Sequence, residues 1–298
     1  MDLFEAVGNT PLLSLSQLTA KTPGINVLAK AEFLNPGGSV KDRAAKSMLL
    51  DGLAKGRLKP GQTIIDATSG NTGISLAMMG AFLGCPVVLY LPANASRERK
   101  SLIKIHGAEI IETDPLESSD GAYLAVLKEV ERNPDQYFFP DQYNNPANAL
   151  AHYNTTALEI WEQTGGRITH FISAMGTSGT FMGTIRRLKE LSPAIKGVAV
   201  EPSSPLHGIE GTKHMDSTIK PGLYDAALID ELVRISTAEA YSMAKRLARE
   251  CGLLTGISSG ANVAAALNYS AGLPQGSTAV TILADTGTRY LSESFWGV

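Results

Sequence analysis

The stretch NPGGSVKDR, Asn35 to Arg43, places Lys41 after a Pro-Gly-Gly-Ser turn, with Asp42 and Arg43 directly behind it. An amine held away from water, or beside a second cation such as Arg43, loses proton affinity and becomes a nucleophile. Most lysines are ionised surface residues, so Lys41 counts as chemistry only in suitable company. Two glycine-rich turns provide it. ATSGNTG, Ala67 to Gly73, gathers Thr68, Ser69, Asn71 and Thr72 around Gly70 and Gly73. A helix cap needs one such side chain. This larger set at a helix start makes a seat for a carboxylate or phosphate, where open N–H groups and the helix dipole favour negative charge. GTSGT, Gly176 to Thr180, offers Gly176 and Gly179 for close backbone approach and Thr177, Ser178 and Thr180 as hydroxyl donors. It is neither GxGxxG nor a Walker sequence, which argues against a nucleoside triphosphate. A single phosphate monoester, held by N–H groups and hydroxyls, fits it. ISSGAN (257–262), with Ser258, and LADTGTRY (283–290), with Thr286, add two more hydroxyl-bearing junctions.

Such turns need rigid elements behind them. Short apolar runs alternate with helical patterns: TIIDA (63–67), PVVLYLP (86–92), AEIIET (108–113), HFISA (170–174), GVAVEP (197–202) and TAVTILAD (278–285). They are rich in Val and Ile, as strands buried on both faces are. Strand-then-helix repetition predicts an α/β fold of parallel sheets flanked by helices, with ligands bound where strands end and helices begin. All four junctions are expected at strand C-termini around one cleft. A smaller, mobile lobe is expected over residues 39–150, carrying the carboxylate seat. Residues 1–38 and 151–298 are expected to form a larger lobe, with NVLAKAEF (26–33) crossing into it. A lysine that can form a Schiff base, together with a monophosphate cup, is what pyridoxal phosphate requires.

Composition narrows the alternatives. The 298 residues are 44% hydrophobic and 18% charged with a formal net charge of −3, which gives no electrostatic reason to expect nucleic acid. MDLFEAVGNTPLL is acidic where a secretory leader would be basic and then apolar. No uncharged apolar run is long enough to span a membrane. Cys85 and Cys251 are far apart in sequence and suggest a reducing, cytoplasmic setting without a disulfide framework. Neither a CxxC pair nor HExxH is present, so no metal site is expected.

The ordered set GNTPL (8–12), NPGGSVKDR (35–43), TSGNTG (68–73), GTSGT (176–180) and SSG (258–260) resembles the cysteine synthase family of fold-type II pyridoxal-phosphate enzymes. The resemblance runs from Gly8 to about Tyr290. NNPANALAHYNTTALEIW (144–161) and QTGGRITHFISAMGTSGT (163–180) resemble its B-type, O-acetylserine sulfhydrylase branch. The resemblance implies a tryptophan synthase β-like fold of two open, twisted, mostly parallel sheets, and a homodimer. It implies that Lys41 holds pyridoxal phosphate covalently and then serves as general acid–base. Asn71 would bond the ring oxygen, and Gly176, Thr177, Ser178, Gly179 and Thr180 would cradle the phosphate. Thr68, Ser69, Asn71, Thr72 and Gln142 would grip the substrate carboxylate. Thr286 would face the ring nitrogen, with Ser258 nearby. The activity implied is β-replacement, in which O-acetylserine loses its β-substituent to give an aminoacrylate and a sulfur nucleophile, sulfide or thiosulfate, then adds.

One loop departs from the family pattern. LHGIEGTKHMDSTIKPGLYD (206–225) has Glu210 after the Gly-Ile pair, where B-type relatives often carry arginine, and Lys213 is the nearest cation. This leaves open a phosphoserine-type donor, whose second phosphate would need Lys213 or Arg99 as partner. A cystathionine β-synthase or a serine/threonine dehydratase is the neighbouring alternative. The sequence offers neither a regulatory extension after Val298 nor a haem segment before Gly8, which weighs against both. A non-catalytic scaffold is disfavoured by retention of Lys41 and both glycine-rich turns.

Overall fold

The computed structural model describes residues 2–19, 24–68 and 70–297. In chain order the elements are β1 (Leu12–Ser14), β2 (Asn26–Ala31), α1 (Lys41–Ala54), β3 (Thr63–Ala67), α2 (Asn71–Leu83), β4 (Val87–Pro92), α3 (Arg97–Ile105), β5 (Glu109–Thr113), α4 (Ser118–Arg132) and β6 (Tyr137–Phe138). There follow α5 (Pro146–Ala151), α6 (Ala157–Gln163), β7 (His170–Ala174), α7 (Gly179–Leu191), β8 (Lys196–Pro202), β9 (Glu231–Ile235), α8 (Thr237–Cys251), α9 (Ile257–Ser270) and β10 (Thr278–Leu283). A π-helical turn, His152–Thr156, joins α5 to α6.

Two sheets result. One has six strands in the order β1-β2-β10-β7-β8-β9, the other four in the order β5-β4-β3-β6. Every pair is parallel except β1 with β2. Both sheets are covered on both faces, which is why their central strands read as continuous apolar runs. Over the larger sheet, one core joins Val27, Ala29, Val198 and Val200 to Ala240, Leu247, Val263 and Ala265 of α8 and α9. On its other face Phe171, Ala199 and Val280 meet Phe181, Ile185 and Leu188 of α7. The smaller sheet buries Ile64, Val87 and Leu89 against Leu76 and Met79 of α2, and Ile65 and Ala67 against Ala122 and Val126 of α4.

The strands expected from apolar runs are present with nearly the expected limits. β1, β6 and β9 were not legible: two are very short, and β9 is an edge strand of largely exposed residues with Glu231 and Arg234 in it. One expectation needs correction. ISSGAN does not follow a strand: α9 follows α8 after a short connection. It still reaches the cleft, because Thr255 bridges Thr286 just beyond β10.

The crossing of α5 and α7 sets the level of the Gly176–Thr180 turn. A Cβ on Gly183 would collide with the Ala149 carbonyl, and one on Gly179 with the Asn148 side chain. Backbone cannot yield as a flexible side chain can, so Gly183→Ala should destabilise by about 1–3 kcal/mol despite alanine's better helix propensity. The check is a lower urea midpoint at unchanged slope.

Candidate active site

Lys41 is the first residue of α1, and the loop before it is fastened to the end of β10. Val40 N–H donates to the Ala284 carbonyl at 2.8 Å, Thr286 N–H to the Gly38 carbonyl at 3.2 Å, and Ser39 bridges Asp285. Asp42 turns back on this loop, accepting from Gly37 N–H at 2.6 Å and from Ser75 Oγ at 2.5 Å. Burial pushes the Asp42 carboxyl up to about 6, against the pull of those two bonds.

Arg43 does not act as the cation beside Lys41. Its guanidinium is buried and held by two carboxylates, Glu32 (Nε–Oε2 2.7 Å) and Glu159 (Nη1–Oε1 2.6 Å). The cation that acts on Lys41 is Arg289. Burial is the main cause that pulls the Lys41 amine below an ordinary lysine, with Asp285 opposing and Arg289 reinforcing it. Arg289 donates to Asn71 Oδ1 and to the Gly37 carbonyl, so it ties the lysine loop to the second glycine-rich turn.

Lys41 opens on a small, partly open cavity lined also by Asn71, Gly176, Thr177, Ser178, Thr180 and Ser258. The Gly176–Thr180 turn leads into α7, whose first N–H groups have no partner within the helix. Ser178 takes the left-handed conformation (φ 68°). Its hydroxyl is buried and has no partner among the described residues. A Cβ on Gly176 would strike the Gly211 carbonyl. Asn148 Nδ2 supports Thr177 Oγ1 at 3.0 Å, and His152 Nε2 lies 3.3 Å from Thr180 Oγ1. Burial, then the Arg43 charge, drives His152 down to about 3, so it stands behind the turn uncharged. An orphaned buried hydroxyl and open N–H groups fit a phosphate monoester of the pyridoxal phosphate type.

Thr68 Oγ1 accepts from Gly70 N–H (2.9 Å) and Gly73 N–H (3.2 Å), and Thr72 Oγ1 donates to Gln142 Oε1 (2.7 Å). Gln142 Nε2 in turn donates to the Ala67 carbonyl at 2.7 Å. Of this group Asn71 lines the cavity, with its Nδ2 on Asp285 Oδ2 at 2.7 Å. Ser69 lies outside the described residues. Thr286 is not in the lining: its hydroxyl caps the short 3-10 turn Gly287–Tyr290 and meets Thr288 Oγ1 at 3.0 Å. From α9, Ser258 and Asn262 do line the cavity. Asn262 also accepts from Ala174 N–H and donates to the Ile282 carbonyl, which locks α9 to β7 and β10.

Sequence reasoning missed Asn148, His152, Asn262, Asp285 and Arg289. The first two lie in NNPANALAHYN, a stretch whose polar residues at helical spacing were the available signal. Asp285 and Arg289 flank Thr286 in LADTGTRY, where the hydroxyl drew attention and the charges did not.

Known proteins resemble this chain over nearly its full length. The pyridoxal-phosphate dependent enzyme family matches residues 3–285. A cysteine synthase of Aquifex aeolicus is 48% identical over 99% of this chain and 91% of its own length. Cysteine synthase B of Escherichia coli is 41% identical over 99% of this chain and 96% of its own. The crystal structure of the Entamoeba histolytica cysteine synthase superposes with a TM-score of 0.93 at 38% identity, covering 100% of this chain and 90% of that one.

In protein freed of cofactor, the reaction of Lys41 with an aldehyde needs the neutral amine. Its rate should therefore rise with pH and level off below the pKa of free lysine. Asp285 holds the proton on, so Asp285→Asn should move the levelling to still lower pH. Borohydride trapping of pyridoxal phosphate across pH reads this, and a shift to higher pH would contradict the assignment.

Proposed function

This chain belongs to the pyridoxal-phosphate dependent enzyme family, among the cysteine synthases, and on that premise we propose that it makes L-cysteine from O-acetyl-L-serine by β-replacement. The observation that carries the reading is one cavity lined together by Lys41, Asn71 and residues of the Gly176–Thr180 turn. When bound there, pyridoxal phosphate supplies an aldehyde for amines and a ring that takes up the electron pair left by an α-proton.

The chain's own residues do the rest. The Gly176–Thr180 turn holds the phosphate with backbone N–H groups and the Thr177, Ser178 and Thr180 hydroxyls. The Thr68–Gly73 segment receives the amino acid's carboxylate at the positive end of α2, where Thr72 is bonded to Gln142 and Gln142 to the Ala67 carbonyl. Asn71, fixed between Asp285 and Arg289, orients the cofactor ring. Lys41 Nζ, kept low in proton affinity by burial, takes the α-proton as the acetate leaves and returns it after sulfur has added at the β-carbon. Sulfide is the proposed nucleophile, with thiosulfate as its competitor. We also propose a homodimer, supported by the family resemblance and tested by sedimentation. A cytoplasmic setting is supported by two free cysteines.

Lys41→Ala should leave a folded protein whose turnover falls by several orders of magnitude, on the order of the 10²–10⁴ from acid–base catalysis and more from the lost covalent step. Cysteine formation from O-acetylserine and sulfide near the wild-type rate would refute the assignment.

The cavity lining favours Ser258 over Thr286 as the hydroxyl nearest the bound ring. Ser258→Ala should alter the absorbance of the bound cofactor and its affinity, whereas Thr286→Val should mainly loosen the turn it caps. The reverse pattern would restore Thr286 to the ring nitrogen.

A further inference from the structure

The loop after β8 carries Glu210 immediately before Gly211 and Thr212, which line the cavity. Its carboxylate forms an ion pair with Arg99 Nη1 of α3. Arg99 lies against the opposite lip: its stem fills the space a Cβ on Gly70 would need, and Gly70 directly precedes Asn71 in the lining. The pair therefore spans the mouth between the two sheets. The Arg99 side chain is 2% exposed and that of Glu210 32%. Arg99 is further fixed by Nε donation to Ser96 Oγ at 2.8 Å and by the Tyr290 ring 5.2 Å from its Cζ. Lys213, three residues beyond Glu210 in the same loop, is engaged in the same way. Lys213 is paired with Asp120 of α4 and lies 4.8 Å from the Tyr143 ring centre. Among the described residues, Lys41 is the one charged side chain in the lining.

A phosphate on a serine β-oxygen directed toward this mouth would meet the Glu210 carboxylate, with Arg99 and Lys213 already paired. A buried guanidinium needs its counter-charge, so the carboxylate has reason to stay. An acetyl group brings no charge and disturbs nothing. We propose that Glu210 is a specificity-determining residue: by holding the Arg99 charge it makes the cleft select O-substituted serines with an uncharged substituent and reject phosphate esters. This rests on the β-replacement reading above.

The test compares kcat/KM for O-phosphoserine and O-acetylserine, with sulfide fixed, in the holoenzyme. Glu210→Gln keeps the shape and removes the charge. The phosphoserine-to-acetylserine ratio should rise at least tenfold, mainly through a lower KM for O-phosphoserine, and inorganic phosphate should become a competitive inhibitor. Glu210→Ser should shift the ratio the same way, which guards against a folding defect of one variant. Adding Arg99→Gln to Glu210→Gln should bring the ratio back toward wild type, because the released cation is gone. A ratio within twofold of wild type in both single variants overturns the proposal, as does a gain that survives loss of Arg99. If the wild type makes no cysteine from either donor, the functional reading fails as well. If it uses O-acetylserine and the ratio does not move, this inference alone fails.

Discussion

The Arg43 guanidinium lies buried between Glu32, just past the end of β2, and Glu159 on α6, and meets each carboxylate with two hydrogen bonds. Thr10 and Lys30 complete the cluster, through Thr10 Oγ1 on Glu32 and Lys30 Nζ on Glu159. Burial works against ionisation of both acids, yet Arg43 holds Glu32 below the usual carboxylate range, and Arg43 with Lys30 brings Glu159 down to about 2. Removing one partner from such a cluster strands the others in low dielectric, at a cost of about 3–5 kcal/mol. Arg43 is two residues beyond Lys41, so the same bonds that anchor α1 fix where the Lys41 side chain begins. The GNTPL segment is part of this anchor, since Gly8 N–H donates to Asn35 Oδ1 and Asn9 N–H to Glu159 Oε1.

With α1 held from below, Arg289 and Asp285 position it from the side. Asp285 accepts from Asn71 Nδ2 and from Tyr290 OH, while Arg289 reaches both Asn71 and the Gly37 carbonyl. These few bonds join the lysine loop, the turn opening α2 and the end of β10, which belong to different sheets. The cavity is therefore a product of how the two sheets are clamped together. Neither sheet contains it alone.

The Gly176–Thr180 turn and the mouth of the cleft differ in kind. At Gly176–Thr180 the donors are neutral hydroxyls and N–H groups, and the nearest histidine is uncharged. At the mouth the cations are present but already matched, Arg99 with Glu210 and Lys213 with Asp120. Charge is kept where it orders the protein. Apart from Lys41, the cavity lining among the described residues is uncharged.

Composition, apolar runs and glycine-rich turns determined the α/β class, the principal strands and the candidacy of Lys41 and Gly176–Thr180. Each of these depends on local rules: strand burial, helix starts and the space that glycine leaves. Tertiary structure alone decided which charges act on Lys41, since Arg43 is adjacent in sequence but neutralised, whereas Arg289 arrives from the far end of the chain. It also decided that Ser258 lines the cavity while Thr286 caps a turn. A hydroxyl's type is written in the sequence. Its direction depends on how β10, α9 and the lysine loop meet, and those contacts join residues hundreds of positions apart.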